Sequence, residues 1–129
     1  MTLATPLKRL IAVPILAVAL TACAPGSPQA PLKEAQKLSV ATSGISTACG
    51  QAFQLTAFPG AHEKELEALE ATAASSAKKL ASVYARNPAW IYQGETVHDI
   101  VRDSIAMLSA CGLTKAGSAL ARATYVRRR

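Results

Sequence analysis

The stretch "AHEKELEALEATAASSAKKLASVYARN", residues 61–87, decides the fold. Leu66, Leu69, Ala73, Ala77, Leu80 and Tyr84 recur in it at steps of three and four, which puts them on one face of a helix. Glu63, Glu65, Glu67 and Glu70 crowd its start, while Lys78, Lys79 and Arg86 lie toward its end, an order that complements the helix dipole at both termini. Pro59-Gly60 precedes the segment and Asn87-Pro88 follows it, so the helix has a stop on each side. Ala73 and Ala77 leave a small-residue notch on the buried face, where a second helix can approach closely.

The segment downstream, "ETVHDIVRDSIAMLSACG", residues 95–112, carries the same signal in Val97, Ile100, Val101, Ile105 and Leu108. Thr96 followed three residues later by Asp99 is close to a capping box, and Gly112 stands where a left-handed C-terminal cap is expected. Upstream, residues 32–57 are less clear. Leu38, Ile45, Cys49, Ala52 and Phe53 share a face, but Ser39, Thr42, Ser43, Gly44, Ser46, Thr47 and Gly50 are poor helix formers. This segment reads as a helix that bends or breaks near Gly44. After Gly112, Thr114 is placed to cap a short final helix ending near Tyr125. No alternation of strand length appears. The expected fold is all-α, an up-down-up three-helix bundle with a short fourth helix.

The first 31 residues belong to a different class. Lys8 and Arg9 are followed by Leu10–Ala22, thirteen nearly unbroken apolar residues. A helix of that length is about 20 Å long, short of a hydrocarbon core of about 30 Å. A basic start, a short apolar run and small residues at its end describe a secretory signal. Leu20-Thr21-Ala22-Cys23 resembles the lipobox of bacterial lipoproteins. The resemblance implies diacylglycerol on the Cys23 sulfur, cleavage after Ala22, and palmitate-type chains holding the protein to a membrane. It covers residues 1–23 and says nothing about the family of the rest. Pro25, Gly26, Ser27, Pro28 and Pro31 disfavour a helix and suit an extended tether. The domain plan is thus residues 1–22 as signal peptide, 23–31 as tether, 32–126 as helical domain and 127–129 as a basic tail.

Removal of residues 1–22 leaves 107 of 129 residues, with 12 basic against 8 acidic, a net charge near +4. That size is one domain with a modest core. Assigning Cys23 to lipid leaves Cys49 and Cys111, an even pair in an exported chain, where cysteines usually pair. If the first and third helices run parallel, the two cysteines lie at similar heights, roughly 26 Å and 24 Å above the starts of their helices. A disulfide between them is expected to close the bundle.

Signals for chemistry are few. A metal site needs three or four converging ligands, and His62 and His98 are separated by the whole central helix. His98 with Asp99, Arg102 and Asp103 reads as a charged helix face. Ser104, Ser109 and the Ser75-Ser76/Lys78-Lys79 group lack the base and orienting acid of an activated nucleophile. The four glutamates lie along one helix start rather than across a cleft. No cofactor and no nucleic-acid partner is expected.

Two features are candidates for contact with a partner. Trp90 and Tyr92 in "NPAWIYQGE" are either a binding platform or a plug for the end of the bundle. Arg127, Arg128 and Arg129 are either a solvated tail or a contact for anionic lipid or wall polymer. The expectation is a lipid-anchored cell-envelope protein without catalysis. Its expected partners are the membrane, through Cys23, and an envelope protein or anionic polymer. If the organism has two membranes, Ala24 after the cysteine resembles lipoproteins sent to the outer one. The alternatives are an inhibitor or immunity-type domain acting on an envelope enzyme or toxin, and a small envelope enzyme.

Overall fold

Four helices and one two-residue hairpin make up the computed structural model, which describes residues 28–58 and 60–128, without the side chains of 126–128. The helices are α1 (Leu32–Thr56), α2 (Glu63–Arg86), α3 (Val97–Ala110) and α4 (Thr114–Arg128), and the hairpin strands β1 (Ile91–Tyr92) and β2 (Glu95–Thr96) sit between α2 and α3. The expected all-α bundle is present. The expected cleavable signal and Cys23 lie outside the described residues.

α1 is unbroken through Gly44. Its buried positions Glu34, Leu38, Ala41, Ile45, Ala48 and Ala52 alternate steps of four and three, the seam of a helix packed lengthwise on a neighbour. Phe53 was expected on this face and is instead 54% exposed. Each four-residue step overshoots a full turn by about 40°, so 45→49→53 swings out of the interface while 45→48→52 stays in it.

The neighbour is α2, which forms with α1 the most extensive interface of the fold. Ala73, Ser76, Ala77, Leu80, Val83 and Tyr84 are its buried residues, with Leu66 and Leu69 partly covered. The two helices come so close at Gly44 that a Cβ there would stand 3.2 Å from Ser76 Cβ and nearer still to Ser76 Oγ. The poor helix formers of α1 are therefore held by packing, which overrides propensity.

α3 starts as its sequence predicts, with the Thr96 side chain accepting from the Asp99 amide at 3.1 Å. It ends in a Schellman turn, in which Leu113 N–H donates to Leu108 C=O at 2.9 Å and Gly112 N–H to Ser109 C=O at 3.3 Å. Gly112 has φ 90°, which a side chain would disfavour. The turn sends α4 back antiparallel to α3. At 15 residues α4 is as long as α3, with 14, and continues past Tyr125 to Arg128. It packs on both α2 and α3 through Ala116, Leu120 and Thr124.

This topology gives the bundle two poles. One gathers the end of α1, the start of α2, the end of α3 and the start of α4. Cys49 and Cys111 are bonded toward this end, with Cα atoms 5.3 Å apart, as the sequence predicts. The bridge joins α1 to the end of α3, a pair whose direct packing is sparse compared with that of α1 on α2. The other pole gathers the start of α1, the end of α2, the hairpin, the start of α3 and the end of α4.

Candidate functional site

The hairpin occupies the second pole and is built from local rules. Asn87 leaves α2 in an extended conformation, and its side-chain oxygen accepts from the Ala89 amide at 2.9 Å, an Asx turn. Gln93 and Gly94 have φ 51° and 82°, both positive, as a tight two-residue loop between twisted strands requires. Ile91 pairs with Thr96 and Tyr92 with Glu95, while Val97 N–H donates to Trp90 C=O and His98 N–H to Pro88 C=O. Trp90 and Tyr92 are thereby fixed half-buried, packed against the core.

A third segment joins this site. Ala30 N–H donates to Ile91 C=O at 2.9 Å, and Ile91 N–H donates to Pro28 C=O at 2.8 Å, so residues 28–30 lie along β1 in parallel pairing. The last part of the Pro-rich segment belongs to the fold. At the same pole, Arg127 and Arg128 continue the final turn of α4 and Arg129 lies outside the described residues.

At the same pole, Glu34 is 3% exposed at the start of the α1 seam. Arg86 and Lys37 approach its Oε1 at 3.3 Å and 3.8 Å, while Oε2 has no partner among the described residues. The periodicity of α1 gave no weight to this carboxylate, although counting four residues back from Leu38 lands on it.

A groove of about 490 Å³ opens between the first half of α3 and the second half of α4. Val101, Ile105, Ala121 and Tyr125 line it, with Tyr84 at its floor and Arg102 and Arg122 at its rim. His98 stands beside Tyr84, with ring centroids 6.4 Å apart, and its Nδ1 is 3.5 Å from Asp99 Oδ1. Arg102 is held by Asp99 at 3.4 Å and Asp103 at 3.9 Å, the charged helix face expected from the sequence.

The glutamates at the start of α2 divide. Glu63, Glu65 and Glu67 are exposed, but Glu70 spans to α4. Its Oε2 and Oε1 accept from the amides of Lys115 and Ala116 at 3.1 and 3.0 Å. Glu70, rather than Thr114, thus satisfies the free amides at the start of α4, with its charge at the favourable end of the dipole.

Ser104 and Ser76 are buried in helix packing, and Ser75 and Ser109 are exposed. No hydrogen bond joins any of them to a histidine or lysine side chain among the described residues. Among the same residues, no group of three or more His, Cys, Asp or Glu lies together as a metal site would require, and no helix is long and apolar enough to cross a membrane. Comparison of the chain with protein-family models, curated proteins and solved structures finds no match.

Proposed function

We propose that this protein is a lipid-anchored domain of a bacterial cell envelope that acts by binding rather than by catalysis. The observation that carries the reading is the Cys49–Cys111 bond. Disulfides belong to oxidising, exported compartments. The pair accounts for two of the three cysteines and leaves Cys23, the residue of the lipobox resemblance, as the odd thiol available for acylation. Two or more acyl chains on one residue hold a protein firmly at a bilayer where one chain does so only marginally.

The binding reading draws on the tether pole, which holds the half-buried Trp90 and Tyr92 and the basic end of α4. The second reading, an inhibitor or immunity-type domain, draws on the opposite pole. There Phe53 and Phe58 are 54% and 66% exposed, and Phe58 borders a groove shared with Gln51, Gln54 and Glu65. Those rings suit a protein partner approaching from the side away from the anchor.

Growth with radiolabelled palmitate tests the anchor: label should enter the wild-type chain and be lost in Cys23→Ser, which should also leave the membrane fraction. Failure to incorporate label refutes the anchoring. Crosslinking in intact cells followed by mass spectrometry then separates the two binding readings, through adducts at the Trp90 hairpin or at Phe53 and Phe58.

A further inference from the structure

The net charge of the domain hides a strong asymmetry between its poles. Dividing each helix at its midpoint, the half toward the disulfide holds Glu63, Glu65, Glu67 and Glu70 against Lys64 and Lys115 among the described residues. The half toward the hairpin holds Lys33 and Lys37 on α1, Lys78, Lys79 and Arg86 on α2, and Arg102 on α3. On α4 it adds Arg122, Arg127 and Arg128. Its described acids are Glu34, Glu95, Asp99 and Asp103. Three of these are engaged within the fold: Glu34 is buried against Arg86 and Lys37, and Asp99 and Asp103 hold Arg102. Glu95 remains exposed at the hairpin. Lys33, Lys78, Lys79 and Arg122 are exposed and meet no acid among the described residues.

The same pole presents apolar surface where the chain enters the fold. Leu32 is 76% exposed at the start of α1, at the pole that also holds the half-buried Trp90 and Tyr92. Tryptophan and tyrosine favour the level of lipid headgroups, with the ring toward hydrocarbon and the polar edge toward water.

The third observation is a length. Because residues 28–30 are paired with Ile91, only the five steps from Cys23 to Pro28 lie between the lipobox cysteine and the fold. Fully extended they reach at most about 17 Å, and as a flexible chain about 12 Å. A free tether of nine residues would allow about 30 Å. Screening at physiological salt acts over about 8 Å, so the short reach keeps the basic pole within or near the range of a charged surface.

We propose that the tether pole is a docking face for an anionic lipid bilayer, so that the anchored domain lies on the membrane with its hairpin at the headgroups and its acidic pole directed away. This deepens the anchoring reading and rests on it for the short reach. Tethering makes the second contact intramolecular, so a face too weak to hold a free protein suffices. Each basic residue near such a surface strengthens association about fivefold. Neutralising Lys33 and Arg122 together therefore lowers the ratio of docked to undocked protein about 25-fold.

Trp90, the single tryptophan of the chain, reports on this directly. The full protein, extracted from envelopes and weighed intact to detect its acyl chains, is reconstituted into two kinds of vesicle. One is phosphatidylcholine alone and the other contains phosphatidylglycerol, each with brominated acyl chains that quench tryptophan. Flotation should be equal in both, because the acyl chains hold the protein in either. Trp90 quenching should appear only with phosphatidylglycerol. It should fall away at about 1 M salt, where screening acts over about 3 Å. Quenching should be lost in Lys33→Gln/Arg122→Gln and kept in Lys64→Gln/Lys115→Gln.

Flotation without quenching in the anionic vesicles overturns the docking face and leaves the anchor standing. Equal quenching in both vesicles overturns the electrostatic basis. Loss of quenching when purified wall polymer is added assigns the basic pole to the polymer and overturns the lipid assignment. A mass without acyl chains, together with salt-sensitive flotation on anionic vesicles alone, refutes the anchor and keeps the face.

Discussion

Replacing Gly44 with alanine is expected to destabilise the domain, although alanine is the better helix former. In an unobstructed helix the exchange favours folding by about 1 kcal/mol. Here the new Cβ would stand 3.2 Å from Ser76 Cβ and closer to Ser76 Oγ. The hydroxyl can rotate, but Ser76 Cβ is fixed to the backbone of α2, and the residue is only 8% exposed. Relief requires α1 and α2 to part by a few tenths of an ångström along the largest interface of the fold. That movement loosens Ala41, Ala48, Ala73 and Ala77, all essentially inaccessible to solvent. Overpacking of this kind costs about 1–3 kcal/mol. The net loss is then about 0–2 kcal/mol, a fall in Tm of up to roughly 16 °C for a domain of this size. Urea unfolding followed by circular dichroism, with the disulfide intact, measures it. Ser76→Gly in the Gly44→Ala background should recover at least about 1 kcal/mol as a coupling between the two sites. A rise in stability for Gly44→Ala alone, or no coupling to Ser76, would show that Gly44 is merely a weak helical residue and that the close approach of the helices is wrong.

Three further perturbations test other joints of the fold. Reducing Cys49–Cys111, which closes a span of 62 residues, should lower stability by about 4 kcal/mol in the chain-entropy model, read as the shift in urea midpoint with and without reductant. Glu70→Ala should cost about 1 kcal/mol and speed hydrogen exchange at the amides of Lys115 and Ala116, while exchange in the middle of α1 stays unchanged. Arg86→Ala should destabilise by about 1–3 kcal/mol because it strips Glu34 of its closer cation. Glu34→Leu in that background should restore the loss, since an apolar side chain extends the seam of Leu38 and Ile45.

The parts of this structure that were legible in the sequence are those written in local patterns. The stripe of α2, the Thr96 cap and the Gly112 turn depend on residues within four positions of one another, and each stands where its pattern places it. The cysteine pair was legible for a different reason, because a thiol count and a helix rise are both global constraints. The rest depended on neighbours that a local reading cannot supply. Gly44 looks like a weak point until Ser76 is set against it. Glu70 looks like part of a solvated helix start until its contact 45 residues downstream turns it into the cap of another helix. Glu34 is a charge in a heptad position, and apolar periodicity is blind to it. The hairpin is too short to alternate, and its one signal was the glycine after Gln93. The pairing of residues 28–30 with β1 left no trace in a stretch whose prolines suggest a free tether.

The fourth helix changes what the molecule is able to do, and the reason is parity. In a three-helix bundle the chain leaves at the pole opposite the one it enters. With α4 as long as α3, the chain returns, and Arg127 and Arg128 reach the pole that holds the hairpin and residues 28–30. The two features that seemed separate in the sequence, the aromatic loop and the basic run, therefore share one pole with the start of α1. Glu70 steadies the return at the far end, because it supplies acceptors for the amides of Lys115 and Ala116 where α4 starts against α2. If that pole rests on the bilayer, the surface left for a soluble partner is the opposite one, acidic and carrying Phe53 and Phe58. The two functional readings, which draw on opposite poles, are then compatible: one concerns how the domain sits, and the other concerns what it meets.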